Sequence, residues 1–144
     1  MYPEDMVAPM RAELTSIGVK ELRTADEVRD AMAEKDCSAL FFINSVCGCA
    51  AGSARPGLAL ALAGGTAPDR VYTVFAGQDT EATAEVRKNI LGFPPSSPSA
   101  ALFKDGQLVA MIERHHIQGN PPEGVAQLFG QAFAAAGVTS SPRP

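Results

Sequence analysis

Four consecutive apolar residues, Leu40, Phe41, Phe42 and Ile43, run into Asn44 and Ser45, and two positions later comes Cys47-Gly48-Cys49. An unbroken apolar block is the pattern of a strand buried on both faces, so layers must cover it from either side. The stretch after Cys49 is rich in Ala and Leu, which favour helix. A buried strand that hands a cysteine to the first turn of a helix places sulfur among unpaired N–H groups at the positive end of the dipole. Both favour the thiolate, so chemistry is expected at this corner if anywhere.

The cysteine pair has three readings. Two small core residues fit the preference of cysteine for burial. A zinc site needs four ligands, and the remaining candidates are Cys37, His115 and His116, with no second closely spaced pair. A redox pair suits the strand-to-helix corner, and Gly48 permits the uncommon turn that a bridge between residues two apart demands; such a bridge is strained and easily reduced. Cys37 lies before the strand, at its far end from Cys47, and is expected to be buried. His115 and His116 are read as the end of a strand, so their side chains point to opposite faces and do not easily share a metal. Either is a candidate contact for an anionic substrate, with a solvated surface histidine as the alternative.

With 144 residues and 46% hydrophobic content, the chain is read as one domain over 1–137 with a flexible tail over 138–144. A net charge of −4 offers no basic field, which disfavours nucleic acid as a partner. Three cysteines cannot form a fully paired framework, which fits a reducing compartment. The start, Met1-Tyr2-Pro3-Glu4-Asp5, is acidic where a signal peptide would be basic, and no apolar run reaches membrane-spanning length. The expectation is a cytoplasmic protein with no membrane partner.

Along the chain, Met6, Met10 and Leu14 recur at helical spacing, predicting a peripheral helix over 3–16 despite Pro9. A short strand is read over 19–23, and Thr24-Ala25-Asp26-Glu27 has the form of a capping box opening a helix to about residue 35. The cysteine-led helix is expected to kink at Pro56. A β-branched run over 71–75 reads as strand; Asp79 then caps a helix with Ala82, Val86 and Ile90 inward, closed by Gly92. Residues 100–103 and 108–112 form a hairpin through Asp105-Gly106. Asn120 caps the last helix, with proline at its first position. This order is a thioredoxin-like layout: an α/β fold, a three-layer α/β/α sandwich whose mixed central sheet carries a C-terminal hairpin and an extra N-terminal helix. In it the end of the central strand meets the start of the hairpin, making Cys47 and Pro98 neighbours. Such folds hold a proline there in cis, so Ser97–Pro98 is expected to be cis, leaving the Ser97 backbone free to pair with an extended substrate.

Longer stretches carry a family signature. Val7-Ala8-Pro9-Met10-Arg11-Ala12-Glu13-Leu14, Asn44-Ser45-Val46-Cys47-Gly48-Cys49-Ala50-Ala51-Gly52, Ala54-Arg55-Pro56, Val74-Phe75-Ala76-Gly77-Gln78-Asp79, Pro95-Ser96-Ser97-Pro98-Ser99 and Arg114-His115 with Ile117 and Gly119 all match. Over nearly its whole length the chain resembles the bacilliredoxins, thioredoxin-like proteins with a Cys-Gly-Cys active site. The resemblance implies removal of bacillithiol, a cysteinyl glucosaminyl malate thiol, from protein mixed disulfides, with Cys47 attacking and Cys49 as resolver. It implies no tightly bound cofactor and no metal; bacillithiol is the thiol co-substrate. The implied partners are bacillithiolated proteins and a bacillithiol-disulfide reductase. The malate carboxylates require donors beside Cys47, and the candidates are Arg55, Arg114, His115, His116 and the N–H groups of the helix start, Gly48 included. The chain has no tryptophan and no carboxylate over 40–44 to take a proton from a buried second thiol. A monothiol cycle is therefore expected, in which a second small thiol or a reductase clears Cys47. Two other functions fit the same residues: a general protein disulfide isomerase, and a non-enzymatic metal carrier using Cys47 and Cys49 as soft ligands.

Overall fold

A computed structural model of the chain describes residues 1–138. Helix α1 (Glu4–Thr15) leads through β1 (Lys20–Glu21) to α2 (Ala25–Ala33) and the central strand β2 (Ser38–Asn44). A π-helical turn (Ala50–Ala54) continues as α3 (Arg55–Ala63), followed by β3 (Arg70–Phe75) and α4 (Thr80–Lys88). The hairpin β4 (Ser99–Lys104) and β5 (Gln107–Ile112) precedes a one-turn helix α5 (Arg114–Ile117) and the closing α6 (Pro122–Ala135). The sheet order is β1-β3-β2-β4-β5. Strands β1, β3 and β2 run parallel, whereas β4 is antiparallel to β2 and β5 to β4.

Every residue of β2 is buried, as its apolar run requires. Leu40 and Phe42 pack with Leu58, Phe129 and Phe133 on the α3/α6 side, while Phe41 and Ile43 pack with Val28, Tyr72 and Val86 on the α2/α4 side. The register then places the site: Ile43 pairs with Ser99 across the antiparallel ladder. The chain leaving β2 at Asn44 and the chain entering β4 from Ser97 and Pro98 therefore meet at one edge. Local signals behave as their chemistry dictates at α2, where Thr24 Oγ1 accepts from the Glu27 N–H at 3.1 Å and the Glu27 carboxylate reaches back to the Thr24 N–H. The hairpin turns through Asp105 and Gly106, at φ 52° and 81°.

Other elements depart from expectation. Helix α1 is not packed by its Met6-Met10-Leu14 face: Val7, Arg11 and Leu14 are buried and Met6 is exposed. The Arg11 guanidinium holds that face inward, gathered by Glu4, Glu21 and Asp79 at 2.7, 2.8 and 2.6 Å and lying 5.3 Å from the Phe75 ring centroid. Asp79 accordingly turns its carboxylate to Arg11 and makes no side-chain cap on α4. Strand β1 has two residues, flanked by the buried Val19 and Leu22. Just before Pro56 the turn widens to π geometry, which accommodates a proline ring that would crowd the carbonyl four residues earlier. Helix α6 starts one residue late, capped by Pro121, and the Asn120 amide donates instead to the His116 carbonyl at 3.3 Å. Val138 is buried, with its N–H on the Phe133 carbonyl at 2.9 Å, so it is not part of a free tail. The rest of the predicted tail, 139–144, lies outside the described residues. No helix among the described residues is long and apolar enough to cross a membrane.

Candidate active site

Helical hydrogen bonding starts at Cys47, whose carbonyl accepts the N–H groups of Ala50 and Ala51 at 3.1 and 3.2 Å. Its sulfur lies 3.2 Å from Ser45 Oγ, and the N–H groups of Cys49 and Ala50 donate to it. Burial alone would raise this thiol. The Ser45 hydroxyl, those two N–H groups and the positive charge of Arg114 outweigh it, and the net shift is downward from the ordinary thiol value. Cys47, Cys49 and Cys37 are all free thiols, and Cys47 and Cys49 are half-buried.

Arg114 ties three parts of the chain together at this corner. Its Nη1 donates to the Ser97 carbonyl at 3.0 Å and its Nη2 lies 3.7 Å from Cys49 Sγ. The Ser97–Pro98 peptide is cis. The Ser97 carbonyl accepts from Arg114 and keeps a second lone pair. A Cβ built on Gly48 meets nothing within 4 Å, and its φ is not in the left-handed region. In this dithiol form neither crowding nor backbone strain requires glycine there.

Three of the proposed anion donors, Arg55, His115 and His116, are placed differently from expectation. Arg55 is buried and engaged through two of its nitrogens: Nη1 donates to Asn44 Oδ1 at 2.9 Å and to the Ser45 carbonyl at 2.8 Å, and Nε to Glu13 Oε1 at 3.0 Å. Its side chain is 1% exposed, and these contacts tie it to the end of β2 and to α1 at the cysteine corner. His115 and His116 do not end a strand. They belong to α5, where their rings lie 4.1 Å apart, so the argument that they diverge fails. Together with Glu113 they bring donor atoms within 4.8 Å of one another, although His116 Nδ1 already accepts the Glu113 N–H at 3.0 Å. The cysteines are not part of this cluster. Cys37 is half-buried rather than buried; burial pushes its thiol up, and it sits at the start of β2, away from Cys47.

Sequence reasoning missed Ser45, Asn44 and Glu13 as parts of the site. A usable signal was present: two polar residues end a strand that is otherwise apolar, and a buried amide must find partners. The Asn44 Oδ1 accepts from the Ser45 N–H at 2.9 Å and from Arg55, while Nδ2 donates to the Met10 carbonyl at 3.4 Å. The assembled group is a thiol stabilised as thiolate, a second thiol two residues on and an adjoining cation. Those are the parts of a thiol-disulfide exchanger.

The family model described as "Disulphide isomerase" matches residues 2–136. A bacilliredoxin of Salinibacter ruber is 54% identical over 136 residues, covering 93% of this chain and 80% of its own length. A bacilliredoxin of Koribacter versatilis is 49% identical, covering 97% of this chain and 100% of its own. One of Symbiobacterium thermophilum is 52% identical, covering 94% and 96%. Among solved structures, thioredoxin O1 of Arabidopsis thaliana superposes with TM-score 0.56 at 17% identity, covering 79% of this chain and 96% of its own. Mitochondrial thioredoxin 3 of Saccharomyces cerevisiae does so with TM-score 0.53 at 19% identity, covering 82% and 95%. These structural matches establish a thioredoxin fold.

Proposed function

Since the chain belongs to the bacilliredoxin family of thioredoxin-type thiol oxidoreductases, we propose that it removes bacillithiol from protein mixed disulfides, with Cys47 as the nucleophile. The observation that carries the assignment of Cys47 is the convergence of the Ser45 hydroxyl and two backbone N–H groups on its sulfur. In the first step the Cys47 thiolate attacks the bacillithiol sulfur. A Cys47–bacillithiol disulfide forms, the mixed disulfide breaks, and the target cysteine leaves as thiolate. In the second step the thiolate of another bacillithiol attacks its counterpart on Cys47, releasing bacillithiol disulfide and the Cys47 thiolate; a bacillithiol-disulfide reductase then restores the small thiol. Cys49 is the resolver should the cycle use two thiols. The cation assigned to the malate carboxylates is Arg114, with the exposed His115 and His116 beside it on α5. No tightly bound cofactor takes part, and the compartment is the cytoplasm.

The experiment is intact-mass analysis of the Cys49→Ser protein mixed with a bacillithiolated target. The expected product carries one bacillithiol on Cys47, with the target returned to its free thiol. Transfer persisting in Cys47→Ser would remove the assignment. A general protein disulfide isomerase, in keeping with the description of the matching family model, would instead rearrange protein disulfides without preference for the small thiol.

A further inference from the structure

The buried cation behind the cysteine corner has no role in the exchange steps, yet its contacts end on the residue that touches the nucleophile. Ser45 is pinned at both backbone ends by side chains: its N–H donates to Asn44 Oδ1 at 2.9 Å and its carbonyl accepts from Arg55 Nη1 at 2.8 Å. The same Nη1 donates to Asn44 Oδ1 at 2.9 Å, so one guanidinium nitrogen holds the Ser45 carbonyl and also the amide that holds the Ser45 N–H. The Asn44 amide is oriented without ambiguity, its oxygen between two donors and its nitrogen on the Met10 carbonyl. Glu13 of α1 takes Arg55 Nε at 3.0 Å and completes the clamp from a half-exposed position. What remains free on Ser45 is the hydroxyl, 3.2 Å from Cys47 Sγ.

We infer that Arg55 is a positioning residue for Cys47: by clamping the Ser45 carbonyl and the Asn44 amide, it keeps the Ser45 hydroxyl aimed at the sulfur. A thiolate only accepts hydrogen bonds, so the hydroxyl must donate, and a donor is useful only while its backbone cannot swing away. The guanidinium suits this task because its nitrogens lie in a rigid plane and one of them serves two acceptors. A lysine at 55 keeps the charge and the burial but is a point donor that does not reproduce the fork. The inference rests on Cys47 being the nucleophile, and it extends the site to α1 through Glu13.

The test is the pH dependence of Cys47 alkylation by iodoacetamide in a Cys37→Ser/Cys49→Ser background, compared among the parent, Ser45→Ala, Arg55→Lys, Glu13→Gln and the Ser45→Ala/Arg55→Lys double variant. Ser45→Ala and Arg55→Lys should each raise the midpoint by about one pH unit, which is roughly a tenfold smaller thiolate fraction below it. Glu13→Gln, at a half-exposed position that does not endanger the fold, should raise it by less. The double variant should match Ser45→Ala alone, because the action of Arg55 passes through the hydroxyl. Midpoints unchanged in both Arg55→Lys and Glu13→Gln, or shifts that add in the double variant, would overturn the inference while leaving Cys47 as nucleophile. An ordinary thiol midpoint in the parent would overturn both.

Discussion

At Cys47 a half-buried sulfur is pulled in two directions, and the donors prevail over burial. The sign follows directly: a lowered thiol is ionised over a pH range in which an ordinary cysteine is protonated, so Cys47 alkylation should level off at lower pH than that of Cys37, whose thiol burial pushes up. Arg114→Gln removes a positive charge from beside the site, and the Cys47 midpoint should rise. It should also raise KM for a bacillithiolated target more than for a target capped with an uncharged thiol. Cys47→Ser should abolish exchange, and Cys49→Ser should still accept the small thiol. The cysteines were legible because their spacing and the strand before them carry the chemistry in the chain itself. Arg55 was not, since an arginine beside a proline near a helix start reads as a surface cation, and nothing local reveals that α1 and the end of β2 close over it. His115 and His116 were misplaced because a four-residue helix is too short to show a period.

Among the elements, α1 and the α3/α6 contact carry the most testable weight. A Cβ on Gly57 would lie 2.5 Å from Val125 Cγ1 and 3.1 Å from the Pro122 carbonyl, so α3 and α6 meet through a position with no room for a side chain. Gly57→Ala should therefore destabilise the fold by about 1–3 kcal/mol, read as an earlier urea midpoint, in spite of the better helix propensity of alanine. Arg11→Ala removes the buried cation among Glu4, Glu21 and Asp79 and leaves only the half-exposed Arg23, 3.1 Å from Glu4 and 3.8 Å from Asp79, so it should cost ~3 kcal/mol. Hydrogen bonding to Arg11 holds the Glu4 carboxyl below its usual range. That stabilisation is present above the ordinary carboxylate pKa and is lost as pH falls through the lowered one, so Arg11→Ala should also weaken this part of the acid dependence of stability. Whereas α4 ends at Lys88, before the Ile90 and Gly92 that the sequence assigned to it, helix α2 with its capping box and the β-branched strand β3 were legible to within a residue or two. The inward face of α1 was not, because the partners that bury Arg11 come from β1 and the start of α4, which no helical period encodes.

For the whole molecule, the order of elements was enough to identify a thioredoxin fold: a doubly buried strand, a cysteine-led helix and an Asp-Gly hairpin fit one mixed sheet, and the observed order β1-β3-β2-β4-β5 is that sheet. The antiparallel pairing of Ile43 with Ser99 then brings Cys47, Cys49, Ser97 and Pro98 to one edge, where Arg114 joins them from α5. Charge is where the substrate claim meets the molecule. A chain of net charge −4 gives an anionic thiol no general attraction, so any preference for bacillithiol must come from the few donors at this edge. The most direct measurement offers one target protein capped either with bacillithiol or with glutathione and follows release of the free target by intact mass at equal concentrations. Faster release from the bacillithiol form, with the advantage reduced in Arg114→Gln, is the predicted result, and equal rates from the two forms would contradict it.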